Sequence, residues 1–281
     1  MGKLKDFLRG MLEEEKIRFV PSSIEIIGSK EKAVAIVEIP EEIEDKAEII
    51  GAAIMKIHKN VKSVLQKTSK RKGEFRLREF KVIAGMENTE VVHKEYGYLL
   101  KLDPRKVYFS AREGFERQRI ASQVKENEKV LVMFSGVAPF AIAIAKKQPK
   151  VEKIVCIELN PEAHKYAEEN VRINKLSHKI ILIKGDVREV CKRFPNSFDR
   201  IVMPLPMHAE DFLDLAIYCL KKKGIIHFYS WSEEDKIQET EERLKKRLKS
   251  FNVNFLIISR KKVLPYAPRK WKIVFDIEVR K

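Results

Sequence analysis

Apolar residues recur along this chain at two different periods. Between residues 4 and 16, Leu4, Phe7, Leu8, Met11 and Leu12 fall on one helical face, which predicts a short helix. Two strand-like runs follow, 23–27 and 33–39, joined around Gly28. Ile49, Ile50, Ala53, Ile54 and Ile57 return to helical spacing across 45–58. Residues 61–66 read as a strand, and 90–93 with 98–102 as a hairpin turning at Gly97. Together these elements predict a small α+β domain over 1–103.

From Gln118 onward the pattern alternates. Strands are expected at 129–134, 153–158, 179–184, 198–203 and 224–229, with helices at 139–147, 161–174, 187–194, 209–222 and 233–250. Two closing strands are expected at 252–260 and 272–279. Near-continuous apolar strands separated by amphipathic helices make a doubly wound, mostly parallel α/β sheet. The order is similar to the seven-stranded, Rossmann-like sheet of class I methyltransferases, in which the last strand inserts antiparallel. The expected division is 1–103 for the small domain and 104–281 for the catalytic domain.

Composition narrows the class. No run of apolar residues approaches the 18 or so needed to span a bilayer, and the first residues carry no apolar signal segment. A cytoplasmic protein with no membrane association is expected, and a monomer. Cys156, Cys191 and Cys219 are widely spaced and lack a C-x-x-C pair, so neither a zinc site nor any other metal site is expected. The net charge of +16 changes the picture more. Abundant Lys and Glu also mark a highly charged thermophile surface, but an excess of one sign points to a polyanion such as nucleic acid. Of the residues from Lys67 to Arg78, Lys67, Lys70, Arg71, Lys72, Arg76 and Arg78 are basic. A run of this kind is either a solvated loop or a contact to RNA backbone.

In a doubly wound sheet, ligands bind at the carboxyl ends of the strands, so the residues ending each strand carry the chemistry. Met133-Phe134-Ser135-Gly136-Val137-Ala138-Pro139 follows the first strand of the alternating half, and Gly136 lets backbone approach a ligand. Glu158, with Leu159 beside it, ends the second strand 22 residues after Gly136, where a carboxylate accepts ribose hydroxyls. The absence of G-x-G-x-x-G leaves no loop for a pyrophosphate, so a cofactor with ribose and no phosphate fits: S-adenosyl-L-methionine. Gly185-Asp186-Val187 ends the third strand. Asp186 either accepts from the adenine amine, with Val187 packed on the ring, or caps the next helix, and the two roles are compatible. Pro204-Leu205-Pro206 ends the fourth strand, as a rigid turn or as the wall of an acceptor site. His227 reads as a structural histidine of the fifth strand.

Before the alternating half lies Arg105-Lys106-Val107-Tyr108-Phe109-Ser110-Ala111-Arg112-Glu113-Gly114-Phe115-Glu116-Arg117-Gln118-Arg119. This block resembles the Tyr-Phe-Ser-Pro-Arg-x-x-x-Glu-Arg-x-Arg segment of the archaeal and eukaryotic tRNA guanine N1-methyltransferases, which act at tRNA position 37. Ala111 stands where that family has proline. The family's Asp-x-Phe-Ala-Gly-x-Gly-Pro-Phe aligns with residues 132–140, with Val132 in place of the acid and Ala138 in place of the second glycine. Its Asn-Leu-Pro aligns with Pro204-Leu205-Pro206. The resemblance implies a tRNA methyltransferase acting on the anticodon loop and lacking the family's extra N-terminal domain, which checks the tRNA elbow. It implies that Arg112 stabilises charge on guanine O6, and that Arg117, Gly136, Glu158, Leu159, Asp186, Val187 and Pro204 line the cofactor. Glu116 and Asp186 remain as alternative general bases. Tyr108, Phe109 and Phe115 are candidates to stack on an unstacked base. Two further readings stay open: the related aminocarboxypropyl transferase of wyosine biosynthesis, and a non-catalytic RNA-binding subunit.

Overall fold

The structure, a computed structural model, describes residues 3–69, 73, 77–205 and 207–281. Of the expected RNA-contacting run, Lys70, Arg71, Lys72 and Arg76 lie outside the described residues, as does Pro206. The chain divides into two compact units, residues 1–112 and 113–281.

The first unit contains α1 (Lys3–Leu8), α2 (Glu14–Ile17), β1 (Glu25–Gly28), β2 (Ala33–Val37), α3 (Ala47–Ile57), β3 (Val61–Lys67), β4 (Phe80–Gly85), β5 (Val91–Glu95) and β6 (Tyr98–Leu102). Strands β1 to β4 form one sheet in chain order, and β5 and β6 form a separate hairpin. The sheet is built around β2, every residue of which is buried. Its core joins β2 to Ile50, Ala53 and Ile54 of α3 and to Leu4, Leu8 and Leu12. The single helix expected over 4–16 is instead two short ones. Gly10 takes φ +81, a left-handed turn that ends the first helix, and only Leu4, Leu8 and Leu12 of the apolar face are buried. Strand β4 was not foreseen. It pairs antiparallel with β3, and Gly51 of α3 lies against it so closely that an added Cβ would stand 2.9 Å from the Ala84 methyl.

The second unit runs α4 (Gly114–Ala121), β7 (Lys129–Met133), α5 (Pro139–Lys147), β8 (Lys153–Glu158), α6 (Pro161–Ile173), β9 (Ile180–Lys184), α7 (Val187–Val190), β10 (Phe198–Met203), α8 (Leu213–Cys219), β11 (Leu220–Glu233), α9 (Ile237–Lys249), β12 (Asn254–Ala267) and β13 (Lys270–Arg280). Its seven strands lie in the order β12-β13-β11-β10-β7-β8-β9. Strands β7 to β11 are parallel, and β13 inserts antiparallel between β11 and β12. This is the class I methyltransferase sheet. Winding proceeds outward from β7 through β8 to β9, then returns to β10 and β11, so the switch point lies between β7 and β10.

The largest differences from the sequence reading in this unit concern three elements. The helix expected over 209–222 is a 3₁₀ turn, Ala209–Phe212, followed by α8. The helix expected from 233 begins at Ile237, because β11 continues to Glu233 in register with β13 from Lys223↔Arg280 to Glu233↔Lys270. The final hairpin is correspondingly longer than the sequence predicts: pairing of β12 with β13 carries it through residues 261–272. Among the described residues no helix is long and apolar enough to cross a membrane. The three cysteines are buried thiols.

Candidate cofactor and acceptor site

The loop after β7 is wound unusually tightly. Phe134, Gly136 and Ala138 all take positive φ, at 56°, 55° and 65°. Four hydrogen bonds hold it. Ser135 N donates to Ile157 O at 2.9 Å, Ala138 N to Ser135 O at 3.0 Å, Gly136 N to Glu158 Oε2 at 2.6 Å, and Asn170 Nδ2 of α6 to Val137 O at 3.1 Å. Pro139 then starts α5, its fixed φ matching the first helical turn.

Glu158 closes β8 opposite this loop. Its Oε1 accepts from Asn160 N at 2.8 Å while Oε2 takes the Gly136 N–H. The carboxylate therefore keeps acceptor capacity for a further donor. Burial pushes the Glu158 carboxyl above the usual glutamate range, opposed by backbone N–H groups of Asn160, Gly136 and Leu159. Asn160 is also the N-cap of α6, accepting from Glu162 N at 3.0 Å. Leu159 is half-buried beside it.

Gly185 N donates to Glu158 O at 2.9 Å, tying the ends of β8 and β9 together. Asp186 accepts from Arg188 N at 2.7 Å, so it does cap α7, and Arg188 Nη1 lies 3.3 Å from its other oxygen. Val187 is buried, and Pro204 and Leu205 are half-buried just past Met203. Gly136, Glu158, Leu159, Asp186, Val187 and Pro204 thus all lie at the carboxyl edge of the sheet.

Glu116 lies at the same edge on the other side of the switch point. Its Oε1 accepts from Tyr229 OH at 2.5 Å and Arg119 Nη2 at 2.8 Å, and its Oε2 from Arg119 Nε at 2.7 Å. Tyr229 is the residue after Phe228, which is in register with Met203, the last residue of β10. Asp186 follows β9, four strand spacings from β11, or about 19 Å at roughly 4.8 Å per strand. The two candidate bases therefore occupy opposite ends of the site. Arg117 is fully buried in α4. Arg112 is an exposed residue of the turn that closes the first unit. Of the aromatic candidates, Phe109 is buried with His93 edge-on to its ring at 5.2 Å, whereas Phe115 is 76% exposed.

Sequence reasoning missed the polar seam beneath Glu116. The residues that α4 and its extension turn toward β11 and β13 are Glu113, Glu116, Arg119 and Gln123, at helical spacing. Lys272 donates to both Glu113 oxygens at 3.0 Å. Arg119 forks between Glu116 and Asp276, meeting Asp276 at 2.6 and 3.1 Å. His227 is wholly buried between Asp276, 2.7 Å from Nδ1, and Arg200 Nη1, 2.8 Å from Nε2. Arginine can only donate, so Nε2 accepts and the proton sits on Nδ1, facing Asp276. Burial keeps this histidine below its ordinary range, and hence neutral. Burial alone would raise the Asp276 carboxyl, but hydrogen bonds from His227 and Arg119 hold it well below the usual range. One signal was readable: Lys272 and Asp276 lie four residues apart in β13, on either side of the apolar run Ile273-Val274-Phe275, and so share one face.

A family profile described as the TRM5/TYW2 methyltransferase domain matches residues 91–256. The chain belongs to the TRM5/TYW2 methyltransferase family. A second profile, the TYW2 N-terminal domain, matches residues 4–89 of this family member. It is 42% identical over 95% of its length to 77% of "tRNA (guanine(37)-N(1))-methyltransferase Trm5b" of Pyrococcus abyssi. It is 37% identical, over 76% of its length and 85% of the relative's, to "tRNA(Phe) (4-demethylwyosine(37)-C(7)) aminocarboxypropyltransferase" of Methanocaldococcus jannaschii. Among solved structures it superposes on Pyrococcus horikoshii TYW2 in complex with MeSAdo with a TM-score of 0.81 and 28% identity, covering 99% of this chain and 98% of that one.

Proposed function

We propose that this TRM5/TYW2 family member transfers the methyl group of S-adenosyl-L-methionine to N1 of guanosine 37 in tRNA. The observation that supports it most is the 42% identity, across 95% of the chain, with an enzyme named for that reaction. The carboxyl edge suits the assignment. Glu158 retains acceptor capacity for a ribose hydroxyl, and the tightly wound Gly136 loop lacks the G-x-G-x-x-G pattern of a pyrophosphate-binding loop.

When bound, S-adenosylmethionine supplies an electrophilic sulfonium methyl. Glu158 would accept the ribose hydroxyls and Asp186 the adenine amine, while Leu159 and Val187 pack on the ring. Arg117 and Pro204 complete the cofactor wall. Guanine N1 is protonated at neutral pH, so a base must remove its proton, and the charge then develops on O6. We assign the base to Glu116: it lies one strand from the switch point, whereas Asp186 lies at the adenine end. Arg112 supplies the cation at O6. In this reading residues 1–103 position the anticodon loop, residues 104–281 carry out the transfer, and the protein works as a cytoplasmic monomer. Substituting Arg112 with alanine should lower single-turnover methyl transfer at least about a hundredfold with cofactor affinity unchanged. Wild-type turnover in that variant would remove Arg112 from the mechanism.

The second reading is aminocarboxypropyl transfer. Residues 4–89 match the TYW2 N-terminal domain, and a relative named for that activity is matched over 85% of its length. Its by-product is methylthioadenosine, where methyl transfer leaves S-adenosylhomocysteine.

A further inference from the structure

The cluster beneath Glu116 does more than fill space. Buried charges are expensive to desolvate, and a packed apolar seam is often as stable. Yet α4 turns Glu113, Glu116, Arg119 and Gln123 toward the sheet, and the sheet answers with Tyr229, Lys272, His227 and Asp276. Every carboxylate in it meets a fixed donor. Asp276 is the hub, 2% exposed, accepting from Arg119, His227, Gln123 and Ser259. The Ser259 hydroxyl is 2.7 Å away and the Gln123 amide 3.2 Å. These donors come from α4 and its extension, β11 and β12, so Asp276 has one position relative to three elements. Arg119 in turn is planar and meets both carboxylates through its fork, so the plane of one fixes the plane of the other.

The consequence falls on Glu116. A carboxylate has about four lone-pair sites, and among the described residues Arg119 and Tyr229 take three of them. The remaining site, on Oε2, has its direction set by Arg119. We propose that Asp276 is a positioning residue for the transfer reaction: acting through Arg119, it aims the one open acceptor site of Glu116 at the proton on the acceptor base. His227, locked as the Nδ1–H tautomer by Arg200, completes the hold on Asp276. This rests on Glu116 being the general base.

The test uses the full chain, unmodified tRNA transcript and single-turnover kinetics. Asp276→Asn, Glu116→Gln and the double variant are compared, with thermal midpoints and cofactor dissociation constants measured alongside. Asp276→Asn is expected to slow transfer about ten- to hundredfold with cofactor affinity and tRNA KM unchanged, since an ångström of misplacement carries that order of loss. The double variant is expected to be no slower than Glu116→Gln, because Asp276 acts only through Glu116. Arg119→Lys, which keeps the charge and loses the fork, is the second probe should Asp276→Asn fold poorly, and should slow transfer comparably. A folded Asp276→Asn or Arg119→Lys at the wild-type rate overturns the inference, as do multiplying effects in the double variant. A wild-type rate in Glu116→Gln instead overturns the assignment of the base itself.

Discussion

Lys272 of β13 holds its ammonium 3.0 Å from both oxygens of Glu113, and the same nitrogen stands 4.8 Å from the centre of the Tyr229 ring. Both residues are almost wholly buried. Neither charge could remain there alone. Replacing Lys272 with methionine should therefore cost about 3–5 kcal/mol, because the buried Glu113 carboxylate loses the cation that both its oxygens meet. Adding Glu113→Gln should restore most of that loss. Urea denaturation of the three proteins measures it. A double variant as unstable as Lys272→Met would show that packing, not charge pairing, dominates the seam.

The pattern of apolar positions made the alternating half of the chain legible, because buried parallel strands are continuous apolar runs and their helices are amphipathic. The places of Gly136, Glu158 and Asp186 at the strand ends follow for the same reason: the strand-helix alternation sets where each strand stops whatever else the sequence does. The seam was hidden because its members are scattered from Glu113 to Asp276, and nothing local pairs them. The break at Gly10 is not visible in the pattern because the apolar spacing continues through Leu12, whose burial does not require an unbroken helix. Strand β4 was missed beside a strongly basic stretch that masks its alternation. The ends of β11 and β13 were misjudged because polar residues there are held by register with their neighbours, not by their own preference.

Glu158 gives the site a pH signature. Burial raises its carboxyl, so protonation on acidification begins above the ordinary glutamate range of about 4.3. Only the ionised form offers both oxygens as acceptors. Cofactor affinity should accordingly weaken as pH falls toward that range from neutrality. Glu158→Gln should bind more weakly at neutral pH, by about tenfold or more, and lose the acid dependence. Calorimetric titration across the range checks both. An acid dependence that persists in Glu158→Gln would assign it to another group.

Ala138 occupies the left-handed region with φ 65°, fully buried at the start of α5. An alanine there is strained by about 1–2 kcal/mol. Glycine removes that strain, offset by about 0.4–1 kcal/mol of added freedom in the unfolded chain. Ala138→Gly should thus leave stability unchanged or raise it by up to about 1 kcal/mol, while Ala138→Val, with a branched Cβ, should lose about 2 kcal/mol or more. Denaturation midpoints decide it. A glycine variant destabilised by about 2 kcal/mol would mean that the loop does not hold this strain.

The most direct measurement of the account incubates the protein with unmodified tRNA transcripts and S-adenosylmethionine labelled separately in the methyl and carboxyl groups. The expected result is methyl label in tRNA, S-adenosylhomocysteine as by-product, and loss of the label when guanosine 37 is replaced. Carboxyl label in tRNA with methylthioadenosine released, or methyl label that survives replacement of guanosine 37, would contradict it.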